Sequence, residues 1–282
     1  MGHTQHRPRG EYGSVETLLS TYPPGAWGAL LATGVLIGLL AGLLGVGGGI
    51  VAVPVLLEIF EFIGIGEPIG VPLAVGTAQA SILIASVTAA GAHWRAGTID
   101  VELVRSWLPA LMLGAVVGLA LGPLAPTWVL TTLFAVVAAG LALKMAAGDR
   151  LIIGHRQPRR PYSYIPPAVV GGLAAAVGVG GGTLSTPTLT LFSFSIKRAI
   201  GAGALFNLVI AIPATVVFLL MDRNTPGRPF DALGDVALFC VATLSLPALF
   251  VAPMAARWSA RAPVALLRRL FAFCLAVIAV RL

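Results

Sequence analysis

Charge is what this sequence has least of. Only 10% of its 282 residues are Asp, Glu, Lys or Arg, where a soluble domain carries about 25%. With 57% hydrophobic residues and a mean hydropathy of +0.94, the chain reads as an integral membrane protein. No long polar segment is present, which leaves no room for a sizeable soluble domain. Cysteine is scarce too. Cys240 and Cys274 stand singly in apolar runs, without metal or redox spacing, so they read as small core residues. Neither a metal nor a cofactor is expected. The net charge of +7 could suggest nucleic acid, but the basic residues are scattered through short loops between apolar runs. Inner-membrane topology is encoded that way, with Lys and Arg retained on the cytoplasmic side, so no nucleic-acid partner is expected. Acids are fewer still. Glu58, Glu61, Asp100, Glu102, Asp222, Asp231 and Asp235 all fall in loops or near the ends of apolar runs. An intramembrane acid would be a proton-relay candidate, and none is clearly at mid-depth; Glu58 is the best placed for coupling.

Glycine, by contrast, is abundant and concentrated. Gly45-Val46-Gly47-Gly48-Gly49, with Leu40-Ala41 before it and Pro54 and Leu56 after it, returns as Gly178-Val179-Gly180-Gly181-Gly182. Leu173-Ala174, Pro187 and Leu189 accompany the second copy, a constant shift of 133 positions. Each glycine costs about 1 kcal/mol relative to Ala in a helix interior, so four in five residues should break a helix. Broken segments at matching places in two halves are the best sequence pointer to a transporter's binding site.

The repeat extends beyond the glycines. Leu108-Pro109-Ala110-Leu111 returns as Leu246-Pro247-Ala248-Leu249, and Leu133-Phe134-Ala135 as Leu270-Phe271-Ala272. The chain therefore divides into a polar tail (1–25), a first membrane repeat (26–147), an Arg- and Pro-rich cytoplasmic linker (148–164) and a second repeat (165–282). The tail has no apolar core before Ala26 and does not read as a cleavable signal. Trp27 to Leu44 and Ile50 to Ile63 are apolar arms about 27 and 21 Å long as helices, too long together for one straight crossing of a core about 30 Å thick. A hairpin turning at the glycines suits them better. Ile165 to Val177 and Thr183 to Phe194 repeat the arrangement. Expected spans are Val71 to Trp94, Ser106 to Leu124 and Thr127 to Ala147, then Ala199 to Met221, Leu233 to Pro253 and Val264 to Leu282.

The expected fold is thus an all-α integral membrane protein of two homologous halves. Each half holds a glycine-broken re-entrant helical hairpin plus three transmembrane helices. Three crossings per half would make the halves inverted repeats; a single crossing through each glycine segment would make them parallel. The hairpin arrangement is favoured because it puts Lys197, Arg198, Arg257, Arg261, Arg268 and Arg269 on the linker's side.

At these two clusters the sequence resembles the TauE/SafE family of anion permeases, often called sulfite exporters. The duplicated Gly-Val-Gly-Gly-Gly with its proline five residues on carries the resemblance, together with Val75-Gly76-Thr77, His93, Gly97 and Asp100. The resemblance implies a multi-pass transporter in the bacterial inner membrane for sulfite, sulfoacetate or related small sulfur-containing anions. The second half departs from the first, with Gly203-Ala204-Leu205-Phe206-Asn207 where the first half has Thr77 to Ser81.

A small oxyanion needs donors, and backbone can supply them. Gly47, Gly48 and Gly49, and Gly180, Gly181 and Gly182, each lead into a short helix whose first N–H groups lack intrahelical partners. Such an end carries about half a positive charge, and glycine lets an anion come close. Thr77, Gln79 and Ser81 from the first half, and Thr183, Ser185, Thr186 and Asn207 from the second, are the side chains expected to complete the site. Hydroxyls in membrane helices commonly bond backbone or a neighbouring helix instead. Burying Gln79 or Asn207 without a partner is costlier. His93, beside Trp94, reads as an interfacial residue. The rival reading is an intramembrane enzyme acting on a lipid phosphate or a peptide, but the glycine tips carry neither an acid nor an arginine. A passive channel is a third. The expected partners are the anion and membrane lipid, with a homodimer open.

Overall fold

A computed structural model describes residues 21–147, 162–221 and 227–281 of the chain. Most of the expected tail and linker lies outside these residues. The first half consists of α1 (Pro24–Leu44), α2 (Gly49–Phe62), α3 (Glu67–Arg95), α4 (Val101–Leu121) and α5 (Thr127–Ala147). The second consists of α6 (Ile165–Val177), α7 (Gly182–Leu191), α8 (Ile196–Leu220), α9 (Leu238–Arg261) and α10 (Val264–Arg281). The protein is a multi-pass, mostly helical membrane protein. Among the described residues, five helices, α1, α3, α4, α8 and α9, are long and apolar enough to cross a membrane.

Local chemistry sets the helix ends. Pro24 opens α1, where its missing N–H costs nothing. The Asp100 carboxylate accepts the Leu103 N–H at 3.1 Å and caps α4. Glu67 lies in the first turn of α3, while His93 and Arg95 lie in its last, each suited to the local end of the helix dipole. One expected span is displaced. Leu233 to Val236 does not begin a helix: β1 (Ala232–Leu233) and β2 (Val236–Ala237) pair antiparallel around Gly234, whose φ is +58°. Helix α9 therefore starts at Leu238 and runs to Arg261.

Small residues let the long helices touch backbone to backbone. Along α1, Gly34, Gly38 and Gly42 abut Leu244, Ala248 and Ala252 of α9 in turn, so the two helices run the same way. Along α4, Gly114 and Gly118 abut Ala168 and Gly172 of α6, again in parallel. Without a hydrophobic force between helices in lipid, such close packing is what holds them. The first helix of each half thus packs on the fourth helix of the other. Between these pairs α3 and α8 run antiparallel: Gly76 lies against Phe218 near one end, and Gly201 against the Thr98 carbonyl at the other. Helix α2 packs on α1 and α3, and α7 on α6 and α8, which brings the two glycine clusters inward.

Candidate functional site

The first cluster ends α1 because Gly45 adopts φ +66°, its N–H bonding Ala41 O at 3.1 Å while the Val46 N–H bonds Leu40 O at 3.2 Å. Gly47 and Gly48, at φ +83° and +79°, turn the chain into α2. The second cluster repeats the first two positions, with Gly178 at +78° and Gly180 at +85°, but Gly181 is right-handed at −65°. A side chain at the left-handed positions would be strained.

The two clusters touch each other, and Asn207 of α8 joins them. Its Nδ2 donates to the Gly45 carbonyl at 2.7 Å, and its Oδ1 accepts the Gly182 N–H at 2.6 Å. The Thr183 hydroxyl, bonded to Val46 O of the first cluster at 3.0 Å and to Val179 O of the second at 3.1 Å, makes a second bridge. Space at this junction is fully used. A Cβ on Gly182 would overlap the Gly45 carbonyl oxygen, and one on Gly49 would lie 2.5 Å from Gly178 O. Gly47 and Gly180 lie against the Asn207 amide from either side.

The expected side chains then separate by their hydrogen bonds. Ser81 donates to Thr77 O of its own helix at 2.9 Å. Thr77 is turned away from the glycines, its hydroxyl oxygen accepting the Ala237 N–H at 2.9 Å. Thr186 donates to Ala199 O at 3.3 Å. Gln79 and Ser185 are different. Both are fully buried, yet neither amide atom of Gln79 nor the Ser185 hydroxyl has a protein partner. Buried polar groups are nearly always paired, and each exception asks for an explanation.

Helix periodicity places Gln79. Val75 abuts Gly178 of the second cluster, and Ile82 abuts Gly49 of the first. Residues 75, 79 and 82 share one helical face, so Gln79 projects from α3 between the two contacts. The N–H groups of Gly48, Gly49 and Ile50 that open α2 find no protein acceptor among the described residues. The α7 end differs, since its Gly182 N–H is already taken by Asn207.

Two further residues extend the picture. Ser86, one turn past Ile82 on the same face of α3, is also buried with an unpaired hydroxyl. Its spacing of seven from Gln79 could have marked it in the sequence. His93 does not share the exposed position of its neighbour Trp94 but is packed inside the protein, 1% exposed. Its Nε2 lies 2.9 Å from Gly42 O, and a carbonyl only accepts, so that nitrogen carries the proton. The Thr98 hydroxyl meets Nδ1 at 3.0 Å. His93 thereby ties the end of α3 to α1 just before the first glycine turn, a role no sequence spacing announces.

The sulfite exporter TauE/SafE family model matches residues 30–282, which include both glycine clusters and the helices around them. The chain belongs to the TauE/SafE family. It is 31% identical over 254 residues to a probable membrane transporter protein of Haemophilus influenzae, covering 89% of this chain and 96% of that one. A probable membrane transporter protein of Methanocaldococcus jannaschii is 27% identical over 234 residues, covering 78% of this chain and 82% of the relative. No solved structure matches. The TauE/SafE proteins are membrane transporters and not enzymes, which removes the rival reading of an intramembrane hydrolase.

Proposed function

We propose that this transporter carries small sulfur-containing anions, such as sulfite or sulfoacetate, across the bacterial inner membrane. The anion binds beside the glycine junction near the membrane midplane, held by the N–H groups that open α2 and by Gln79. The observation that carries the reading is Gln79, a fully buried amide with no protein partner on the α3 face that touches both glycine clusters. An amide left unpaired in an apolar interior costs several kcal/mol by transfer estimates. A ligand that accepts its N–H groups offsets that cost whenever it is bound. The family match favours a sulfur oxyanion among possible ligands.

The two halves are inverted repeats, each glycine segment being a hairpin without net crossing. Support comes from α3 and α8, which hold matching positions in the two halves and run antiparallel. Halves of four crossings each would be parallel, and these helices would run the same way. Inversion brings the two broken helices to the midplane from opposite faces, the arrangement in which one site can open to either side.

The test is a ligand panel on the purified full-length protein, with unfolding temperature and calorimetry as readouts. Sulfite or sulfoacetate should stabilise the protein, acetate less so, and Gln79→Leu should abolish the gain. If no oxyanion binds, or if Gln79→Leu binds as wild type does, the site assignment fails.

A further inference from the structure

We propose, resting on the inverted-repeat carrier reading above, that the α8–α9 and α3–α4 connections are the transporter's two gates, each closing one face of the path to the glycine junction. They lie at opposite ends of the antiparallel α3–α8 pair. Each is seated on a glycine of the other half. A Cβ on Gly76 of α3 would overlap the Asp235 carbonyl oxygen, and one on Gly201 of α8 would lie 2.7 Å from the Thr98 carbonyl oxygen. The two seats are alike in sequence too, Ala74-Val75-Gly76 in one half and Ala199-Ile200-Gly201 in the other. An inverted repeat leads to one such closure on each face.

The first gate is the inward strand pair. Val236 is buried among Ala80 of α3, Phe218 of α8 and Val241 of α9. The Asp235 N–H donates to Phe218 O at 2.8 Å, and the Ala237 N–H to the Thr77 hydroxyl at 2.9 Å. Thr77 is two residues from Gln79, so an anion moving along the α3–α8 seam from this end has to displace the strand pair. Arg228 fastens it, with Nη1 on the Gly234 carbonyl at 2.9 Å and Nη2 on the Asp235 carboxylate, which is 1% exposed. The second gate is held at Thr98, whose N–H bonds His93 O at 3.2 Å and whose hydroxyl meets His93 Nδ1 at 3.0 Å. His93 in turn bonds Gly42 O, three residues before the first glycine turn. The Asp100–Arg198 pair closes this face at 3.5 Å, with the Arg198 side chain 64% exposed.

A glycine seat lets a connection lift away without unlocking interdigitated side chains. The two ion pairs then set how firmly each face is shut. Separating a buried pair is costly, so Arg228 and Asp235 form a latch. A pair as exposed as Arg198 and Asp100 adds little. The Asp235 face is therefore the more firmly closed, and the Asp100 face opens more readily.

The experiment reads thiol labelling by a membrane-impermeant maleimide, applied to either face of the full-length protein in sealed vesicles, and needs no substrate. Cys240, buried in the first turn of α9 in the same apolar cluster as Ala237, reports on the Asp235 face once Cys274 is replaced by alanine. Ser86→Cys, with both native cysteines replaced by alanine, reports on the Asp100 face, because Ser86 is buried on α3 between Gln79 and His93. Labelling follows the open population. Gly76→Ala and the milder Arg228→Gln are expected to speed labelling of Cys240 at least about 10-fold and leave the Ser86→Cys reporter unchanged, while Arg228→Lys stays near the parent. Gly201→Ala is expected to speed labelling of the Ser86→Cys reporter alone. No rise with Gly76→Ala and Arg228→Gln, or none with Gly201→Ala, overturns the paired gates. So does a variant that exposes both thiols together, since it has loosened the whole fold. If the labelling pattern holds but neither sulfite nor sulfoacetate binds, the gates stand and only the choice of substrate falls.

Discussion

The two glycine clusters share a sequence but not a task. At the first, Gly45, Gly47 and Gly48 are all left-handed and the N–H groups opening α2 find no acceptor among the described residues. At the second, Gly181 is right-handed and the Gly182 N–H is spent on Asn207. The Asn207 amide also holds the Gly45 carbonyl, so α8 clamps the second turn against the first. On the other side α3 packs Val75 and Ile82 against the two turns and offers Gln79 between them, its amide hydrogen-bonded to neither. A duplicated motif has diverged into one cluster that is fastened and one that keeps its donors open. On the proposed anion-carrier reading, specificity belongs to α3 and α2, while α7 and α8 supply the frame.

The sharpest way to break this comparison is to fill the contact between the clusters. Gly182→Ala would put a methyl group into the Gly45 carbonyl and close to Gly203 O, both backbone atoms that cannot swing aside. Overpacking of this kind costs about 1–3 kcal/mol and sometimes more; the upper end is expected here, with a large fall in unfolding temperature and lost transport. Alanine at Gly91, where a Cβ meets nothing, is the control and should behave as wild type. Next in size is Asn207→Leu. It leaves the Gly45 carbonyl and the Gly182 N–H buried without partners, at about 1–3 kcal/mol each. Thermal unfolding should show that loss. Asn207→Asp should recover part of it, because a carboxylate still accepts from Gly182.

Much of this arrangement was legible in the sequence. The repeat at a shift of 133 positions and the helix-breaking glycines identified the junction, because glycine clusters have few roles inside apolar sequence. Gln79 and Asn207 were marked as costly to bury. The sequence could not say that Asn207 would be satisfied by both turns and Gln79 by neither. That depends on which face of α3 and α8 meets the clusters, a tertiary fact. Thr77 shows the same limit. It looked like a site hydroxyl until the connection before α9 folded inward as a strand pair and gave it the Ala237 N–H. A five-residue displacement of the start of α9 was hidden because Leu233, Val236 and Ala237 are as apolar as a helix start requires. The burial of His93 was hidden for a related reason: its neighbour Trp94 is exposed at 61%, and one step along a helix turns a side chain from the surface to the core.

Gln79→Leu sharpens the comparison because stability and binding should move in opposite directions. Removing a buried amide with no protein partner relieves a desolvation cost, so an unchanged or slightly higher unfolding temperature is expected, by at most about 1–2 kcal/mol. Oxyanion affinity should fall at least about 10-fold, roughly the 1.4 kcal/mol of one hydrogen bond. A variant that loses stability and binding together would mean that the amide holds the fold, and the division between a fastened and an open cluster would fail.

The smallest expected effect falls on Ser81, two residues further along the same helix. Its hydroxyl donates to Thr77 O of its own α3, so it takes no part in joining the clusters. Such a bond to the helix's own carbonyl, already used by the helical ladder, contributes little. Ser81→Ala should change unfolding temperature by no more than about 0.5 kcal/mol equivalent and leave anion affinity untouched. Set beside Gln79→Leu, the pair isolates direction: both side chains are fully buried on α3, and only the one without a protein partner should matter to the ligand. Equal losses of binding at Ser81 and Gln79 would show that α3 contributes through its packing as a whole and not through a single unpaired donor.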